Sequence, residues 1–196
     1  MKKQRLIIGI SGASGAIYPI RLLEILKNTE IETHLIISDS ARLTINTETE
    51  YTFQQIKALA DVVYDNRNLA AAISSGSFQT MGMIILPCSI KTLSAITHSY
   101  TDDLISRAAD VCLKEGKPLI LCLRETPLHL GHLRLMTQAA EIGAKIAPLM
   151  PAFYHRPQTV DDLINQSINR LCDQLNIYLA QDLFQRWGEP PLFDKH

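Results

Sequence analysis

Net charge is almost absent from this sequence. Lys and Arg number 19 against 20 Asp and Glu, leaving −1 at pH 7. A chain so balanced carries no electrostatic footprint for nucleic acid and no polybasic surface for a membrane. Long hydrophobic runs are missing as well: none approaches the ~20 apolar residues needed to cross a bilayer. The basic start, Met1 to Arg5, leads into a strand broken by Gly9 and Gly12, which is not a signal-peptide core. A cytoplasmic protein is expected, one that binds neither nucleic acid nor membrane. Cysteine is sparse: Cys88, Cys112, Cys122 and Cys172 stand far apart with no C-x-x-C, and apolar neighbours make them read as buried free thiols. Cys88, beside a helix start, has an activated thiol as its second reading. No metal set is evident. His129 and His132 flank Gly131 without a third ligand, and they read as a helix-start pair.

The glycines also fail two familiar patterns. They fall at Gly9, Gly12 and Gly15, so G-x-G-x-x-G is not satisfied, and no Gly-Lys-Ser/Thr follows. Asp39 stands where a dinucleotide-binding protein keeps its ribose acid, but with this glycine spacing that is little support for NAD. What is present is a buried strand, a tight small-residue turn and a helix, in RLIIGISGASGAIYPIRLLEILK from Arg5 to Lys27. Such a turn lets backbone approach a ligand and aims the positive end of a helix at it. The serines, without a P-loop lysine, suggest a mononucleotide cradle.

Downstream, apolar runs at 31–38, 62–64, 82–86, 118–123 and 145–149 alternate with helical spacing at 52–60, 90–93, 102–115, 130–142 and 159–178. Residues 39–50 are polar and threonine-rich, and the stretch containing Ser74-Ser75-Gly76-Ser77 reads as a mobile loop. Continuous apolar strands alternating with helices mean a mostly parallel sheet covered on both faces, a three-layer α/β/α Rossmann-like fold. The 196 residues read as one domain, 1–196, with a tail from about residue 180 that docks at the site or on a neighbouring subunit. Ligands in such sheets sit at the carboxyl ends of the strands. Ser14, Ser38, Ser89, Thr92, Arg124 and Glu125 collect there, with the loop carrying Tyr154. For Ser89, helix capping and ligand binding are both open, since they use the same groups. Arg170, seven residues after Leu163, is expected on the apolar face of its helix, where a charge needs a partner or an anion.

Several long motifs, in order, carry a resemblance. GISGASGAIY, the SGSF stretch, ILPCSIKTLSAI, RAADVCLKEGKPLILCLRETPLHLGHL and PAFYHRPQTVDDLI with Arg170 together resemble the UbiX-like flavin prenyltransferases, from Arg5 to Trp187. The older name of such proteins was 3-octaprenyl-4-hydroxybenzoate carboxy-lyase. The resemblance implies a metal-independent transferase of the flavoprotein (HFCD-like) fold. It would join the dimethylallyl group of dimethylallyl phosphate to N5 and C6 of reduced FMN, and the product, prenylated FMN, would serve a UbiD-like decarboxylase in ubiquinone biosynthesis. A homo-oligomer, trimers assembled into a dodecamer, is also implied.

Site roles follow from the same resemblance. Gly12, Ala13, Ser14, Ser38, Ser89, Ile90, Lys91, Thr92 and Arg124 match FMN-contacting positions. Tyr154 and Arg170 match positions that hold the prenyl phosphate, and Lys114 a phosphate-binding lysine lent by a neighbouring subunit. Glu48 and Glu125 match acidic residues of the active site, and Trp187 an aromatic residue of the C-terminal segment near it. Ser14, Glu48, Lys114, Glu125, Tyr154 and Arg170 are thus the expected catalytic set. Glu125, Ser14 and the retained phosphate are the candidates for proton handling that the resemblance leaves open. Competing readings are an FMN-dependent cysteine decarboxylase of the same fold, a non-catalytic FMN carrier and an NAD oxidoreductase. The first lacks its P-A-S-A-N-T-like stretch here. Monophosphate and diphosphate prenyl donors stay open.

Overall fold

Apolar runs become strands, of which the four inner ones are buried along nearly all of their length. In the computed structural model, which describes residues 4–188, the strands are β1 (Arg5–Ile10), β2 (Glu32–Ile37), β3 (Val62–Asp65), β4 (Gly82–Cys88), β5 (Leu119–Leu123) and β6 (Lys145–Ile146). The helices are α1 (Ile17–Leu26), α2 (Asp39–Glu48), α3 (Phe53–Lys57), α4 (Ile90–Thr97), α5 (Leu104–Lys114), α6 (Leu130–Glu141) and α7 (Val160–Gln174). The backbone divides into two compact units, one ending at Leu149 and one beginning at Met150. The first contains the sheet and the second contains α7.

The strand order is β3-β2-β1-β4-β5-β6, and every described pairing is parallel. β1 therefore has its sequence neighbour β2 on one side and β4 on the other. The chain reverses its direction of travel across the sheet between β1 and β4, and a ligand crevice opens at such a switch point. One face is covered by α4, α5 and α6. Ile7, Ile36, Met83, Ile85 and Leu121 pack there with Leu93, Leu104, Ile105 and Ala139. Helix α1 contributes Ile20, Leu22, Leu23 and Leu26 to the core. Full burial on both faces explains why β4 and β5 show no polar alternation.

β2 contains a buried exception. His34 is 3% exposed, and both its ring nitrogens are partnered, by the Tyr64 hydroxyl at 2.9 Å and Glu32 Oε1 at 2.8 Å. Burial pushes its pKa down against the pull of Glu32. Glu32 is also held by Arg5 at 3.0 Å, so β1, β2 and β3 are cross-linked near their amino ends.

Most expected elements are present, with three differences. α2 occupies residues read only as polar, β6 stops before Pro148, which offers no N–H to a ladder, and α7 ends at Gln174, with Asn176 turning at φ 56°. The serine-rich stretch is anchored rather than free. A 3₁₀ turn spans Ala72–Ser74, Ile73 is buried, and Phe78 meets the His34 ring edge-on at 5.0 Å. Among the described residues no helix is long and apolar enough to cross a membrane.

Candidate active site

The turn after β1 is shaped by close approach. A Cβ on Gly12 would lie 2.3 Å from Ser40 Oγ and 2.4 Å from its Cβ, so only glycine passes beneath the start of α2. Gly15 has φ 107°, a conformation L side chains rarely adopt. α1 then follows, with Ala16 at its cap position supplying no side-chain cap. The two amides just ahead of its first residue are met from a distant element: Glu48 Oε2 accepts the N–H of Gly15 at 2.8 Å and of Ala16 at 2.9 Å. The Ser14 hydroxyl bonds to the same carboxylate. Desolvation pushes the Glu48 carboxyl up. Ser14, the Ala16 and Gly15 amides and the Arg124 charge outweigh it and hold the group below the ordinary carboxylate value. The sequence led to the expectation that this helix start faces an external anion, yet two of its amides face the protein's own.

Three further strand ends complete this edge. Ser38, after β2, caps α2 by accepting the Ala41 N–H at 3.1 Å, and shares a hydrogen bond with Ser40 at 3.1 Å. Ser89, after β4, caps α4 and donates to Thr92 Oγ1 at 3.1 Å. Its own N–H donates to Ser11 Oγ at 2.8 Å, and Ser11 Oγ donates to the Pro87 carbonyl at 2.9 Å, which ties the turns after β1 and β4 together. The capping reading of Ser89 is thus realised. Ile90 and Lys91 open α4, but the Lys91 ammonium is engaged by Asp103 at 3.0 Å and Asp102 at 3.7 Å. Arg124, after β5, donates its N–H to the Cys88 carbonyl at 3.1 Å, and its charge reaches Glu48. Glu125 follows it, exposed, with Oε1 accepting the Thr126 N–H at 2.9 Å. Gly12, Ala13, Ser14, Ser38, Glu48, Ser89, Thr92, Arg124 and Glu125 therefore share the carboxyl edge of one sheet.

Lys114 does not. It ends α5, just ahead of the turn into β5, and so lies at the amino edge, where its ammonium pairs with Glu115. Gly76 packs against both side chains. Ser75, Phe78, Thr80, Glu115 and Lys117 line a small cleft there. Thr80 Oγ1 bonds to the carbonyls of Arg5 and Gly82, at the starts of β1 and β4.

All four cysteines are free and buried. Burial pushes Cys88, Cys112 and Cys172 up to about 12 and Cys122 well above the usual thiol range, so Cys88 is no activated nucleophile. His129 caps α6, its Nδ1 accepting the Gly131 N–H at 3.0 Å. No group of three or more metal-ligating side chains is found among the described residues.

The second unit gathers the other candidates. Tyr154 meets Trp187 edge-on at 5.4 Å and Phe184 at 6.3 Å. Arg170 is not on the apolar face, which corrects the expectation. It is exposed and donates to Asp173 Oδ2 at 2.7 Å, while Ile164, Ile168, Leu171 and Cys172 are buried. Leu163 is itself only half-buried, so a position seven residues on inherits the margin of the stripe rather than its centre. Phe184, buried here, and Trp187, exposed, lie outside any helix; the prolines at 190 and 191 and the rest of the expected tail fall outside the described residues. Arg186, Asp173 and His155 were not singled out by sequence. Arg186 pairs with Asp173 and Asp182. The His155 ring stands 5.7 Å from Phe184, and neither of its enclosed nitrogens has a hydrogen-bond partner among the described residues.

Comparison with known proteins decides what this arrangement belongs to. The Flavoprotein family matches residues 1–169. The flavin prenyltransferase UbiX of Escherichia coli (strain K12) is 67% identical over 94% of this chain and 98% of its own. The chain belongs to the UbiX-like flavin prenyltransferases. Its fold agrees with that of other UbiX-like proteins. A crystal structure of AnUbiX (PadA1) in complex with FMN and dimethylallyl pyrophosphate superposes with a TM-score of 0.92 at 44% identity, covering 97% of this chain and all of that one. A dodecameric FMN-dependent UbiX-like decarboxylase from Escherichia coli O157:H7 superposes at 0.90, also at 44% identity, over 95% of this chain and 100% of its own.

Proposed function

We propose that the chain joins the dimethylallyl group of dimethylallyl phosphate to N5 and C6 of reduced FMN, without a metal, and that the prenylated FMN becomes the cofactor of a UbiD-like decarboxylase in ubiquinone biosynthesis. The observation that carries this reading is the 67% identity to UbiX across nearly the whole chain. The relative crystallised with FMN and dimethylallyl pyrophosphate supports it. The donor set suits a flavin mononucleotide: a turn open to close backbone approach, hydroxyls at Ser14, Ser38, Ser89 and Thr92, and a guanidinium at Arg124. Gly12, Ala13 and Ile90 complete it through their backbone. So does Lys91, since its ammonium is already paired.

Bound there, the reduced flavin supplies N5 and C6 as nucleophilic atoms. Tyr154, Arg170 and Lys114 hold the prenyl phosphate, and their donors and charges stabilise the dianion as it leaves. Trp187 flanks the same substrate. Ser14 and Glu48 are hydrogen-bonded, so a proton can pass between them, and with Glu125 they hold or move the proton needed for the second bond. A lysine at the amino edge, away from Ser14 and Glu48, suits one lent to a neighbour's crevice in a homo-dodecamer of the kind reported for the relative. Four free thiols accord with a reducing, cytoplasmic location. The tail beyond about residue 180 is read as docking at the site or on a neighbouring subunit, so that 1–196 acts as one domain.

The test is direct. Purified protein is incubated anaerobically with reduced FMN and either dimethylallyl phosphate or the diphosphate, and the flavin is analysed by mass spectrometry. A flavin heavier by one prenyl unit is expected; an unchanged flavin with both donors overturns the proposal.

A further inference from the structure

The second unit contains an ion-pair network that the steps above do not use. Arg186 donates from Nη1 to Asp173 Oδ2 at 2.8 Å and from Nη2 to Asp173 Oδ1 at 2.9 Å, a two-pronged pair. Its Nε and Nη2 also donate to Asp182 Oδ2 and Oδ1, both at 2.5 Å. Asp182 Oδ1 accepts from Asn169 Nδ2 at 3.1 Å, and Asn169 Oδ1 accepts the Leu183 N–H at 2.7 Å. Asn169 and Asp173 belong to α7, whereas Asp182, Leu183 and Arg186 belong to the segment after it. The network fastens that segment along the helix.

Two of the proposed substrate residues hang from this clasp. Trp187 follows Arg186 directly and touches Tyr154. The Arg186 guanidinium lies 5.7 Å from the centre of the Phe184 ring, which also meets Tyr154. Arg170 joins by one bond, to the Asp173 oxygen that Arg186 Nη1 already uses. The two guanidiniums are held unequally. The Arg186 side chain is 31% exposed and doubly bonded to Asp173, while Arg170 is 49% exposed and singly bonded. Arg170 is therefore the releasable partner. Take Arg186 away, and the Asp173 carboxylate is free to grip Arg170 with both oxygens, in direct competition with a phosphate.

We propose that Arg186 is a positioning residue for the prenyl-transfer reaction: by occupying Asp173 it keeps Arg170 available to the donor's phosphate, and through Asp182 it holds Phe184 and Trp187 against Tyr154. The inference rests on the reading of Arg170 as a phosphate ligand.

Arg186→Met removes both arms, and Arg186→Lys keeps the charge without the fork that makes a two-pronged pair. With the full chain, reduced FMN and dimethylallyl phosphate, the KM for the prenyl donor is expected to rise about tenfold in both variants, the scale of one charge-assisted hydrogen bond. Flavin affinity stays unchanged. Adding Asp173→Asn to Arg186→Met removes the competing carboxylate and lowers the KM again, a recovery that loss of a merely structural tie would not give. An unchanged KM in both Arg186 variants, or no recovery in the double variant, overturns the inference. Arg170→Ala, run alongside, separates the two ideas. If it leaves the KM untouched, the phosphate reading fails. If it raises the KM while the Arg186 variants do not, only the positioning role fails. Should Arg186→Met fail to fold, judged by flavin binding and thermal melting, Arg186→Lys alone and with Asp173→Asn decides the matter.

Discussion

Replacing Glu48 with alanine strips the Gly15 and Ala16 amides of their acceptor and Ser14 of its partner. The carboxylate acts as a helix cap supplied from a distant element, because α1 has no side-chain cap of its own. Losing a side-chain cap costs about 1 kcal/mol and up to about 2, of which the charge at the positive helix end accounts for about 0.3–1 kcal/mol. Glu48→Ala should therefore cost about 1–2 kcal/mol, and Glu48→Gln, which retains an oxygen acceptor, about half of that. In a chain of this size each kcal/mol moves the melting midpoint by about 2–4 °C, so a fall of about 2–8 °C is expected for the alanine variant at pH 7. Thermal unfolding followed by fluorescence measures it. The pH dependence is a second check. The folded-state pKa of Glu48 lies below the ordinary 4.5. Its contribution is therefore complete above that value and lost as the pH falls through the folded value. The gap between wild type and Glu48→Gln should narrow on acidification below about pH 4.5. An alanine variant that melts with the wild type at pH 7, or a gap that widens in acid, refutes the capping role.

Gly12→Ala forces a Cβ onto Ser40 and should cost about 1–3 kcal/mol and weaken FMN binding; adding Ser40→Gly should recover most of both in melting and flavin titration. Co-expression of Lys114→Ala with Glu48→Gln tests the lent lysine: if it serves a neighbour's crevice, mixed assemblies regain about a quarter of the wild-type sites, the chance that neighbours in a head-to-tail ring differ in the right order. Activity no better than that of the single variants counts against the lending. His34 titrates below its ordinary 6.5 because burial penalises its charge, so its neutral form is favoured by folding. Wild type should lose stability relative to His34→Gln as the pH falls below about 6.5, seen as a converging pair of melting curves. The four thiols, pushed up to about 12 or beyond, should resist alkylation at pH 8 in the native protein and react on denaturation; rapid native labelling at Cys88 is the contrary outcome.

The sheet was legible because burial on both faces leaves uninterrupted apolar runs such as GMIIL and PLILCL, and helices such as α5 carry both an apolar stripe and a cap at Asp103. α2 was not, because only Ala41 and Ile45 of its residues are buried, too few to set a period. Its last residue, Glu48, was named through family resemblance. Its actual engagement spans 33 positions to Gly15, and no local pattern encodes that distance. The same holds for Arg186, whose carboxylates Asp173 and Asp182 are identified only once the segment after α7 lies along the helix. Arg170 illustrates the opposite failure. A seven-residue spacing ties it to Leu163, but that reference residue sits at the edge of the stripe, so the expected apolar placement failed. Lys114 could be placed at the amino edge only from the sense of α5 against the parallel strands.

The bond pattern at Glu48 has a mechanical side. The end of α2 grips the start of α1 through one oxygen, Oε2, so the two crossovers on either side of β2 behave as a latch with a titratable bolt. Whenever that carboxylate takes up a proton, its hold on both amides weakens in the same instant, and the glycine turn gains slack. Under the proposed reaction, in which Ser14 and Glu48 handle a proton, each proton that Glu48 received would also loosen the turn after β1.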